Sequence, residues 1–81
     1  MQIKNQAQVI YLLNNLLSQI NKNSNEVNIS ETLDSLDRLF IVSNFEEVTK
    51  IDLNDLLIDP SVWKDLKTIS GRIIEKILNE S

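Results

Sequence analysis

The chain has no cysteine and no histidine. That excludes disulfides, thiolate zinc sites, cysteine nucleophiles and every Ser-His or Cys-His arrangement. Glycine and proline occur once each. An all-β sandwich or barrel needs many tight turns, so helices are favoured. The longest uninterrupted apolar run, Val9 to Leu13, is far too short to span a bilayer. Met1 is followed by Gln2, Ile3, Lys4 and Asn5 rather than by a basic stretch and an apolar run, so no secretory signal is expected. A soluble, cytoplasmic chain is the expectation.

What is present is a single domain of 81 residues, 42% hydrophobic and 25% charged. This suffices for a core but leaves little room to enclose a substrate as well. An enzyme is therefore not expected, and no base with a tuned pKa suggests itself. The net charge is −4, unevenly spread: +2 over residues 1–25, −7 over 26–59 and +1 over 60–81. An acidic middle repels phosphate backbones and attracts basic protein surfaces, so nucleic acid is not an expected partner. Acids also keep small proteins soluble, and on charge alone that explanation is as good.

Val9, Leu12, Leu13, Leu16, Leu17 and Ile20 form an apolar stripe at helical spacing and predict a first helix from about residue 4 to about residue 20. The polar run 21–25 favours a long loop, which Val27 and Ile29 are expected to plug onto the core. Asp34 can cap a second helix, with Asp37 in its first turn. That helix is apolar over more than one face (Leu36, Leu39, Phe40, Val42, Phe45, Val48), so it is expected to be the most central element. Residues 51–58 carry no clear period. Asp59-Pro60 reads as a cap with proline at the first helical position, starting a short helix with Val62, Trp63 and Leu66 inward. Thr68 is expected to cap a last helix with Ile69, Ile73, Ile74, Ile77 and Leu78 on its apolar face. Gly71 lies within that helix, where a close helix–helix contact is one reason for it. The expected fold is all-α: a small four-helix bundle of three main helices and a short third one, with a long loop between the first two.

Ser35 opens the second helix, near the positive end of its dipole, where a phosphate ester would be stabilised. On position alone it is an ordinary first-turn polar residue. Asp34-Ser35-Leu36 at a helix start, in an acidic helical chain of this size, resembles the acyl carrier proteins. The similarity runs from about Lys4 to Leu78. Leu33-Asp34-Ser35-Leu36-Asp37 resembles that family's attachment motif, and Phe45-Glu46-Glu47-Val48 the end of its second helix. Asp59-Pro60-Ser61-Val62-Trp63 resembles its short third helix, and Leu66-Lys67-Thr68-Ile69 the start of its fourth. Two departures stand out: Thr32 where the family often has glycine, and Phe40 where it often has an acid, with Arg38 close by. The second argues for a pathway-specific carrier rather than a housekeeping fatty-acid one.

The resemblance implies a non-catalytic carrier, with 4′-phosphopantetheine from coenzyme A attached to Ser35 by a separate phosphopantetheinyl transferase. It implies that Asp34 orients the site and that Leu36, Asp37, Phe40, Glu46 and Glu47 meet basic docking surfaces of acyl-transferring or condensing enzymes. For Phe40, core and interface are equally good readings. Leu39, Val42, Phe45, Val48, Ile69 and Ile73 are expected in the core, some of them lining a slot for the acyl chain. A monomer is expected, with no membrane partner and no metal. The rival is an unmodified acidic helical module that binds a basic partner. A calcium loop at Asp52, Asn54, Asp55 and Asp59 is disfavoured, because it lacks the turn glycine and the closing glutamate.

Overall fold

The computed structural model describes residues 2–20 and 32–80. The polar run 21–25, and with it Val27 and Ile29, lies outside the described residues. Three helices carry the fold: α1 (Gln6–Gln19), α2 (Ser35–Thr49) and α3 (Leu66–Glu80). Two single 3₁₀ turns, Asn54–Leu57 and Pro60–Trp63, lie between α2 and α3. Among the described residues there is no strand. The described residues are all-α, as expected.

Asn5 starts α1, its side chain accepting the Gln8 N–H at 2.9 Å. Val9, Leu13, Leu16 and Leu17 are buried on one stripe, as their spacing requires, and Leu12 and Ile20 pack at its edges. The most extensive packing joins α1 to α3, whose Ile69, Ile73 and Ile77 are buried. Gln6 ties the starts of the two helices together: its Nε2 donates to Ser70 Oγ at 3.0 Å and to the Lys67 carbonyl at 3.3 Å. Ser70 is fully buried, and its hydroxyl also donates to the Lys67 carbonyl. Helix α2 is therefore not the most central element. It packs more on the first 3₁₀ turn than on α1.

Three further expectations change. Helix α3 begins at Leu66, and Asp65, not Thr68, caps it: Asp65 Oδ1 accepts the Thr68 N–H at 2.7 Å. Aspartate is the better cap, and starting there brings partly buried Leu66 into α3 rather than into the short turn before it. That hydrogen bond also holds the Asp65 carboxyl below its ordinary pKa. Gly71 does not mark a close helix contact. A Cβ there would meet Gln6 Nε2 at 3.8 Å, an ordinary van der Waals distance. Leu78 and Ile74 are not part of the buried stripe: Leu78 is exposed and Ile74 partly so.

The stretch 51–63 is short but well anchored. Lys50 ends α2 in the left-handed region (φ 61°), its N–H bonded to the Glu46 carbonyl. Glu46 Oε2 then accepts the Leu53 N–H at 2.8 Å. Leu53 and Leu56, three apart, are both buried, since a 3₁₀ turn places such residues one above the other. Trp63 is fully buried, and its indole N–H donates to the Leu56 carbonyl at 2.8 Å, joining the two turns. Asp59 caps the second turn, with Pro60 at its start, as the sequence suggests. Lys76 of α3 pairs with Asp55 and, as its main cause, holds that carboxyl below its ordinary pKa.

Candidate functional site

The start of α2 is a capping box. Asp34 Oδ1 accepts the Asp37 N–H at 2.8 Å, and Asp37 Oδ2 accepts the Asp34 N–H at 3.2 Å. The first main-chain bond of the helix runs from the Arg38 N–H to the Asp34 carbonyl at 3.1 Å. Both carboxylates therefore fix the backbone around Ser35, the first residue of α2, which is exposed. The helix dipole places partial positive charge at this end.

Beside Ser35 lies an open groove of about 250 Å³, lined by Ser35, Leu36, Arg38, Leu39 and Leu57. One wall comes from α2 and the other from the first 3₁₀ turn. Leu36 is 74% exposed, as expected for a contact residue. Leu39 is 47% exposed, which corrects its assignment to the core. The buried stripe of α2 runs through Ile41, Val42 and Phe45: Val42 and Phe45 are buried as expected, and Ile41 was not anticipated. With apolar residues on several faces, the 3.6-residue period does not single out the inner one.

Of the residues expected to line a slot, Leu39 lines the groove. Val42, Phe45, Ile69 and Ile73 are buried in the core. Val48 is partly buried and lines a separate groove of about 310 Å³ with Ile3, Lys50 and Ile77, at the far end of α2. Phe40 is partly buried and leans on the edge of the core. Asp37 is half-buried in its cap, Glu47 is exposed, and Glu46 is half-buried with one oxygen committed to Leu53.

Leu57 and Ile58 were missed. Ile58 is 79% exposed and follows the groove wall directly. Once Leu53 and Leu56 turn inward together, Ile58 faces outward, while Leu57 stays partly buried against the core and lines the groove. The signal was the three-residue spacing of the buried pair, which is too short a pattern to recognise without the turn.

The acids of the segment 52–59 are each engaged, Asp55 by Lys76 of α3. Asp52 Oδ1 accepts the Asn54 N–H at 3.0 Å. Asp59 Oδ1 accepts the Ser61 hydroxyl at 2.7 Å and the Ser61 N–H at 3.0 Å, and these bonds, the hydroxyl first, hold its pKa below the ordinary value. Among the described residues no three acidic side chains converge as a metal site would require. Nor, among them, is any helix long and apolar enough to cross a membrane.

Comparison with protein-family models, curated proteins and solved structures returns no match.

Proposed function

We propose that this chain is a carrier protein of the acyl carrier type, loaded on Ser35. The observation that carries the reading is the combination at the start of α2: an exposed serine, held by a two-way cap, at the mouth of an open apolar groove. The residues present fit a phosphopantetheine arm. Ser35 is open to an incoming enzyme, and Leu36, Leu39 and Leu57 offer an apolar surface next to it. When bound, that arm supplies the thiol this chain lacks and holds an acyl or aminoacyl group as a thioester.

In loading, the Ser35 hydroxyl oxygen attacks the pantetheine-side phosphorus of coenzyme A. A phosphorus–oxygen bond to serine forms, the pyrophosphate bond breaks, and adenosine 3′,5′-bisphosphate leaves. The serine proton passes to a base of the transferase, which works with a divalent metal. Asp34 and Asp37 keep the helix start in place. Leu36, Leu39, Phe40 and Ile58 form the apolar part of a docking face, and Asp37, Glu46 and Glu47 its acidic part, facing Arg and Lys of partner enzymes. Glu47 is the freer of the two glutamates, because Glu46 also braces Leu53.

In the finer reading of the fold, the two 3₁₀ turns together stand where carriers have a short third helix, completing a four-helix arrangement. The protein works as a cytoplasmic monomer that visits several enzymes of fatty acid, polyketide or related specialised biosynthesis. Arg38 and Phe40 favour a pathway-specific member.

The exposed leucines would equally serve an unmodified docking module, which is the second reading. One experiment separates the two: intact mass after incubation with coenzyme A, magnesium and a broad-specificity phosphopantetheinyl transferase. A gain of one phosphopantetheinyl unit, lost in Ser35→Ala, is expected. No gain, or a gain that persists in Ser35→Ala, overturns the carrier reading.

A further inference from the structure

Arg38 is the one described groove residue to which the carrier reading assigns no contact. It stands three residues after Ser35, so the two share a face of α2, with Cβ atoms about 5–6 Å apart by helix geometry. Both line the same groove, whose other lining side chains are leucines. Arg38 is half-buried, with its Nε shut off from water, so its stem is anchored rather than free to sweep through solvent. It is engaged elsewhere in the molecule too. A guanidinium has five N–H donors, however, and can hold one partner while taking a second. Charge around it is otherwise acidic, with Asp34 and Asp37 in the same turn. Of the described groove residues Arg38 alone is charged, so it is the cation that a phosphate on Ser35 would meet there.

We propose that Arg38 is the positioning residue for a phosphate ester carried on Ser35: its guanidinium pairs with the phosphate oxygens and lays the substituent along the leucine groove. The fork geometry of arginine suits two phosphate oxygens at once, which lysine cannot match. The shared chemistry is a phosphate ester on the Ser35 oxygen. It could be the diester of a pantetheine arm or the monoester left by a kinase. The inference deepens the carrier reading and rests on it only for the first of these sources.

The test uses two forms of the full chain. One is made by chemical synthesis with phosphoserine at position 35, the other is the loaded protein from the transferase reaction. In the synthetic form, phosphorus NMR follows the second ionisation of the phosphate, ordinarily near pH 6. The helix dipole acts equally in all variants, so a difference between them reports Arg38. The midpoint is expected about one unit lower in the native sequence than in Arg38→Gln, with Arg38→Lys in between. In the loaded form, the diester resonance of Arg38→Gln is expected to move toward its position in the urea-unfolded protein.

The Arg38 Nε–H signal of the unsubstituted chain should shift on phosphorylation while that of Arg72 stays in place. This reading needs no variant and so survives a folding failure of Arg38→Gln. Coincident midpoints with an unmoved Arg38 signal overturn the proposal. Failure of loading together with a shifted midpoint overturns the carrier reading and leaves this one standing. Loading without any Arg38 dependence does the reverse.

Discussion

Helices α2 and α3 are the same length, 15 residues each, and each buries one stripe. They differ on the other face. Around the exposed Leu78, α3 presents Arg72, Glu75, Lys76 and Asn79 to solvent or its edge, which is how a helix that only closes a core looks. Helix α2 presents Leu36 and Leu39, next to Leu57 and Ile58 of the following segment. Scattered apolar side chains on a surface need no explanation, but Leu36, Leu39 and Leu57, which line one groove with an exposed serine, do. Each helix buries a single stripe. The second apolar surface on α2 is therefore expected to be surplus to stability.

The largest effects should come from the inner faces, and they should be alike. Phe45→Ala on α2 and Ile73→Ala on α3 each remove a fully buried side chain and should cost about 2–5 kcal/mol in urea unfolding. A loss below about 1 kcal/mol at Phe45 would break the comparison, because α2 would then hold no true core face. A smaller effect of opposite sign is expected at Gly71. Substitution by alanine meets no obstacle nearer than 3.8 Å and should stabilise by about 1 kcal/mol, seen as a raised thermal midpoint. The smallest effect belongs to the outer face of α2. Leu36→Gln and Leu39→Gln should each stay within about 0.5 kcal/mol of the parent. A marked loss at either position would make these leucines part of the core and sharpen the boundary the other way.

What could be read from the sequence was what neighbours within one turn decide. Asp34 and Asp37 form the expected cap, and Asp59-Pro60 starts the expected turn, because both depend on side chains bonding to nearby main chain. The stripe of α1 was legible because its other face is polar. Leu39 and Ile41 were misjudged because α2 is apolar on both sides, and only the position of the next segment decides which side is inside. Thr68 was read as the cap because Leu66 was assigned to the short turn before it. The groove was not legible at all. Leu57 reaches Ser35 across some twenty residues of chain, and nothing local in residues 51–58 marks it.

The wall that carries Leu57 stands on a platform pinned from three sides: by Glu46 to α2, by Lys76 to α3 and by Trp63 to the second 3₁₀ turn. Groove width is thus a property of the whole molecule, set where three elements meet. That makes the segment 51–63 the place where the shape of the groove beside Ser35 can be altered while Ser35 and its cap remain untouched.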